Sequence, residues 1–189
     1  MQAALKTESV SVAEYLAAEA TSLERHEYLG GQVYAMAGET AEHNIISLNL
    51  AGIIRSHLKR KPCKTFMSGI RVNLSLHTDE YFYYPDIVVT CDNRDTQKQH
   101  DKHLIHHPKL IIEVLSESTK RVDKQEKFFA YTQIESLEEY ILVSQTAHEV
   151  TIFRRAKHWK AEVITGAKAA VVINSLKLRL PLKKIYEGV

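Results

Sequence analysis

Two acidic residues sit in runs of β-branched residues that otherwise belong inside a sheet, and no other feature restricts the folding of this chain as much. In "YFYYPDIVVT", residues 81–90, Asp86 precedes Ile87, Val88 and Val89. In "KLIIEVLSEST", residues 109–119, Glu113 stands among Leu110, Ile111, Ile112, Val114 and Leu115. Such runs predict buried strands. A buried carboxylate without a partner is costly, so the two acids need a common reason. If the strands pair antiparallel, the register that sets Thr90 opposite Lys109 also sets Asp86 opposite Glu113. Directly opposed residues share a face, with Cα atoms roughly 4.5–5.5 Å apart. A slip of one residue would destroy the arrangement. Two readings fit: a hard divalent cation such as Mg²⁺, or satisfaction of the pair by Arg or Lys side chains. Facing each other with neither, the carboxylates repel. Asp86→Asn is then expected to cost no stability at alkaline pH without metal.

The remaining punctuation predicts a helix from Ser11 to about Ser22, opened by the capping box Ser11–Glu14. A hairpin turning at Gly30-Gly31 comes after it, then a long helix over roughly 41–60 with a basic end. Strands are expected over 64–75, 81–90 and 109–115, with 91–108 a long loop. A helix entered at Ser118 or Thr119 comes next. Three strands read from "EEYILVS", "EVTIFRR" and "WKAEVIT", and a last strand with a helical turn at Pro181. This order predicts an α/β or α+β fold with a mixed β-sheet. The chain has 189 residues, 44% hydrophobic and 25% charged, which suits one domain over 1–189 with a sizeable core. The net charge of +2 neither announces nor opposes nucleic-acid binding. No apolar run approaches the length of a membrane helix, and the N-terminus reads as unexported, so a cytoplasmic protein is expected. Cys63 and Cys91 are far apart in sequence, form no CxxC pair and fit a reduced cytoplasm; neither reads as a metal ligand.

With Pro85-Asp86 ahead of an acid inside a hydrophobic strand, the chain resembles the PD-(D/E)XK nuclease superfamily. More closely it resembles the Uma-two family of restriction-endonuclease-like proteins, from Ser11 to Tyr186. The shared pieces are "EYLGGQVYAMAG", His43-Asn44, "YPDIVV", "IIEVLSEST", then Asp123, Lys127 and Tyr131 ahead of "EEYILV". The resemblance implies a restriction-endonuclease-like core, an α/β fold with a central mixed β-sheet flanked by α-helices, and metal-dependent hydrolysis of phosphodiester bonds, in DNA, by a homodimer using Mg²⁺ or Mn²⁺. It implies that Asp86 and Glu113 hold the metal, with the Val114 carbonyl as a further ligand. The superfamily lysine two residues after Glu113 is replaced by Leu115. In the resembling family the next helix supplies it, which selects Lys127 over Lys120 and Lys124. Asp123, Lys127 and Tyr131 are four apart and share a helix face. The resemblance also marks His43, as a phosphate or metal-site contact, and Glu27, as a second-metal ligand or water-orienting acid. The plain readings beside these are a histidine bonded to a carbonyl, a charge on a surface hairpin and a solvated lysine face.

Two other features invite other chemistry. "HDKHLIHHPK" holds His100, His103, His106 and His107, which as a zinc-hydrolase site would have to converge, yet the stretch has no cysteine and no HExxH-like pattern. The aromatics Tyr81 to Tyr84 could stack on bases, although aromatics in strands are usually core. A catalytically idle nucleic-acid-binding module of the same fold is the alternative to the nuclease.

Overall fold

Two breaks in what read as continuous strands shape this molecule. In the computed structural model the described residues are 9–36, 38–97, 101–116 and 123–189. The run expected over 64–75 divides into β3 (Lys64–Met67) and β4 (Arg71–Leu76). The run expected over 81–90 divides into β5 (Asp79–Tyr83) and β6 (Ile87–Thr90). The breaks touch: the Ser68 N–H donates to the Asp86 carbonyl at 3.1 Å. Pro85 has no N–H to give a ladder, and Ser68 takes a positive φ of 24° before Gly69. At these two points the chain passes from one sheet to another.

The first sheet runs β2-β1-β5-β4-β7 and the second β11-β10-β9-β8-β6-β3. Before them, α1 (Val12–Glu19) starts at the Ser11 capping box as expected and ends one turn early. The hairpin of β1 (His26–Leu29) and β2 (Gln32–Ala35) turns through Gly30 and Gly31, at φ 53° and 96°, where side chains are strained. Helix α2 (Ala41–His57) is capped by Thr40 and presents His43, Ile46, Leu50 and Ile54 to the core. The expected loop 91–108 holds a short 3₁₀ turn (Asn93–Asp95) and β7 (Leu104–Ile105), which pairs parallel to β4.

Strand β8 (Pro108–Leu115) pairs antiparallel with β6 in the expected register, Ile87 opposite Ile112 and Val89 opposite Leu110, until a bulge sets Thr90 opposite Pro108. The helix expected to start at Ser118 or Thr119 has its start outside the described residues. The chain is described again from a π-helical turn (Asp123–Lys127), which leads into α3 (Phe128–Thr132). π turns concentrate at functional sites. Strand β9 (Glu139–Ser144) returns parallel to β8, and β10 (Glu149–Arg154) and β11 (Glu162–Thr165) complete the second sheet. A separate hairpin, β12 (Ala170–Ile173) and β13 (Leu178–Pro181), precedes the turn α4 (Leu182–Ile185). The arrangement is α/β, with mixed sheets flanked by helices.

Side chains alternate across the second sheet. Ile87, Val89, Ile112 and Val114 pack with Ile46, Leu50 and Ile54 of α2. Val88, Ile111 and Leu115 pack with Tyr131, Leu142 and Tyr83 on the other side. Glu113 belongs to this second face. Cys63 and Cys91, expected reduced and unpaired, form a disulfide. They lie one step beyond the Lys64–Thr90 pair of β3 and β6, so the sheet brings together what sequence distance separated.

Candidate active site

Asp86 and Glu113 come together where β6 begins and toward the end of β8. The Asp86 N–H donates to Glu113 Oε2 at 3.1 Å, and the Val114 N–H donates to Asp86 Oδ2 at 2.6 Å. Each acid is thus held by a main-chain donor beside its partner. Charge-assisted bonds of this kind are strong. His43 Nε2, reaching across from the first turn of α2, lies 3.0 Å from Asp86 Oδ1. The carboxylates do not stand bare, as the repulsion expected from the sequence assumed: donors from both strands and an imidazole meet them.

Lys127 joins from the end of the π turn. Its Nζ lies 3.3 Å from Glu113 Oε1 and 2.9 Å from Glu27 Oε1. The Tyr131 hydroxyl donates to the same Glu113 oxygen at 3.3 Å. Glu27 is 3% exposed, which excludes the surface-hairpin reading, and it also accepts the Tyr84 N–H at 3.2 Å. The Tyr83 ring centroid is 5.7 Å from the ammonium. Burial pushes the Tyr83 hydroxyl well above the ordinary phenol range, with Glu27 adding to the shift and Lys127 opposing it. The side chain of Asp123, like those of Lys120 and Lys124, lies outside the described residues.

Among the described residues, Glu27, Asp86 and Glu113 bring three carboxylates to one ammonium, that of Lys127. An enclosed excess of negative charge favours a cation. Among the described residues, one group offers three ligand atoms within 4.8 Å of one another: Glu39, His43 and Asp86. Two carboxylates with an imidazole are a donor set that fits a divalent ion; of the ligands the resemblance implied, this group contains Asp86 and not Glu113. Sequence reasoning missed Glu39. The signal was an acid four residues before His43, across the Thr40 cap. Val114 contributes its N–H here, which leaves its expected role as a carbonyl ligand an open proposal. The histidine loop does not form a metal group among the described residues: His107 Nδ1 lies 3.1 Å from Asp95 Oδ1, and Asp95 also accepts the N–H groups of His106 and His107. His100 lies outside the described residues. Phe82 packs on Tyr15 and Tyr28, and Tyr83 on Tyr131, so these rings serve the core rather than base stacking.

A family model described as "Uma2: Putative restriction endonuclease" matches residues 12–182. Two relatives come from Synechocystis sp. (strain ATCC 27184 / PCC 6803 / Kazusa). "Uncharacterized protein slr1290" is 33% identical over 180 residues, covering 95% of this chain and 92% of the relative. "Uncharacterized protein sll1609" is 28% identical over 180 residues, covering 94% of this chain and all of the relative, 100%. The crystal structure of a putative nuclease belonging to DUF820 from Anabaena variabilis ATCC 29413 shares the fold, with a TM-score of 0.79 at 18% identity over 94% of this chain and 97% of that chain. No described helix is long and apolar enough to cross a membrane.

Proposed function

The chain belongs to the Uma2 family of putative restriction endonucleases, and from that premise we propose that it is a divalent-metal-dependent endonuclease hydrolysing phosphodiester bonds in DNA. The observation that carries this reading is the meeting of Lys127 with Glu113, beside Asp86, from three separate elements. Asp86 would hold the metal with His43 and Glu39, and Glu113 and the Val114 carbonyl would be further ligands. Bound there, Mg²⁺ or Mn²⁺ supplies Lewis-acid polarisation of the phosphate and a lowered pKa for the attacking water.

The chain's own groups do the rest. Lys127, as an ammonium, orients the water and stabilises charge on a non-bridging phosphate oxygen; donors aimed at developing charge are the largest usual term in catalysis. Glu27 and Glu113 fix where that ammonium sits. Tyr131 holds the Glu113 oxygen that Lys127 shares. The main-chain N–H of Val114 orients Asp86, leaving Oδ1 turned toward His43. A homodimer in the cytoplasm belongs to the same proposal.

A second reading has its own observation. Lys127 already balances two buried carboxylates, so the centre is neutralised in part without metal, as in an idle binding module. A single-turnover assay on DNA with Mn²⁺ separates the two. Lys127→Ala should lose on the order of a hundredfold or more in rate. A parent protein that cuts no nucleic acid with any divalent metal would leave the idle module standing.

A further inference from the structure

Helix α2 keeps a glycine for which its own chain has no use. Gly52 lies well inside the helix and on its exposed side. A glycine there costs helix stability relative to alanine, because it loses more backbone freedom on folding. Its φ is not among the positive ones, and a Cβ built on it would meet nothing within 4 Å. Neither backbone conformation nor packing within the chain calls for the bare backbone. A surface that approaches closely from outside does. The surroundings are apolar. Leu48, one turn earlier on the same side, is 60% exposed. Both residues line an open groove between α2 and β13, together with Ile53, Leu180 and Pro181. One strand further on, Val172 stands opposite Arg179 of β13 and is 43% exposed. Apolar side chains scattered singly are ordinary, but apolar side chains gathered beside a gap mark a contact.

The charges say which partner fits. Glu42 is exposed in the first turn of α2, and Arg55 and Lys59 are exposed at the other end. A second copy laid antiparallel, with a two-fold axis between Leu48 and Gly52, answers both features. Each Leu48 then enters the gap over the partner's Gly52. Within one residue of the same register, each Glu42 comes to the partner's Lys59. A two-fold contact uses one self-complementary patch twice, so the leucine and its gap, like the acid and the base, each serve in both directions.

We propose that the outer face of α2, around Leu48 and Gly52, is where two copies of this chain meet. This rests on the homodimer of the reading above and gives it an interface, but it does not depend on hydrolysis. His43, Ile46 and Leu50 lie on the opposite, core-facing side of α2, so pairing on the outer face does not touch Asp86 or its neighbours. One helix thus serves both tasks, with the imidazole on its inner side and the second copy on its outer side.

The test is sedimentation of the full chain in chelator over a concentration series, which reads association with no cutting involved. The parent should dimerise. Leu48→Lys and Gly52→Leu change exposed positions and should each weaken the dimer on the order of tenfold or more. Glu42→Lys should weaken it too, and adding Lys59→Glu should restore it, since the swapped charges again meet across the two-fold. In dilute, monomeric protein Gly52→Ala should raise the melting temperature, because alanine favours the helix. A lower melting temperature there would show that the glycine serves the chain's own fold, and it overturns the proposal. A parent that stays monomeric overturns both this face and the homodimer. A dimer indifferent to these substitutions is built on another face and overturns this proposal alone. If Gly52→Leu spares the dimer but weakens binding of a DNA duplex in chelator, the face takes nucleic acid and the proposal fails. A dimer that responds as expected, in a protein that never cuts nucleic acid, sinks the hydrolase and leaves the interface standing.

Discussion

Among the described residues, Lys127 is the ammonium that stands between Glu27 and Glu113, and all three are buried. Removing one partner of a buried ion pair typically costs about 3–5 kcal/mol, because the other charge stays behind. Lys127→Met should therefore lose stability in that range in chelator, measured by urea denaturation, and regain part of it with Mn²⁺. Glu27→Gln should lose less, since Glu113 still pairs with the lysine. In the proposed metal site, the imidazole beside Asp86 would decide which metal is preferred. Mg²⁺ favours oxygen ligands and water, whereas imidazole suits later divalent ions. Titration calorimetry of His43→Ala should show Mn²⁺ affinity falling more than Mg²⁺ affinity. Equal losses would remove His43 from the ligand set. The acids were legible because a carboxylate among β-branched residues has no bland explanation. Lys127 was legible only through the resemblance, since lysines on a polar helix are usually solvated. Glu39 was not legible: an exposed acid in a loop reads as ordinary surface until its neighbours are known.

At the scale of elements, the register of β6 on β8 followed from the choice that set the two acids opposite each other, since these apolar runs are buried on both faces and fix no register by themselves. The breaks at residues 68–70 and 84–86 did not, because both lie inside strand-like composition and arise from the passage between sheets. Strand β12 was missed because its four residues carry no period of their own. The Cys63–Cys91 link was illegible too, since it depends on β3 lying beside β6 rather than on sequence spacing. It staples an edge strand, and such links typically contribute about 2–4 kcal/mol. Cys63→Ser, or reduction of the parent, should lower the urea midpoint accordingly, while the reduced parent and the variant coincide. After α4, Tyr186 offers a pH test. Its hydroxyl lies 2.8 Å from the Ser144 carbonyl and 2.9 Å from that of Glu149. Burial pushes its pKa from 10.0 up to about 12. A raised phenol pKa contributes stability that is fully present below the unfolded value and lost as pH rises through the folded one. Between pH 10 and 12 that loss is on the order of 2–3 kcal/mol. Tyr186→Phe should flatten this part of the stability profile, and an equally steep fall in the variant would assign it to other tyrosines.

Across the whole molecule, the family assignment extends over residues 12–182, so the fold and the family rest on nearly the full chain. The topology explains how the lysine reaches the acids. Strands β8 and β9 lie parallel, so the chain must cross over between them, and that crossover begins at the end of β8 where Glu113 emerges. Lys127 rides on the crossover. Leu115, relieved of any polar duty, packs into the core. The centre is thus drawn from β1, α2, the β5–β6 break, β8 and the crossover, segments spread from Glu27 to Lys127. Contacts of such long sequence separation form slowly, since the entropy of closing each loop is lost before the contact is gained. A chain leaving the ribosome, or one caught half-folded, can hold secondary structure and still lack every pairing that this chemistry needs. In refolding from urea, recovery of the proposed cleavage should therefore coincide with the last conformational phase and never precede it, which would keep such a nuclease harmless until its fold is complete.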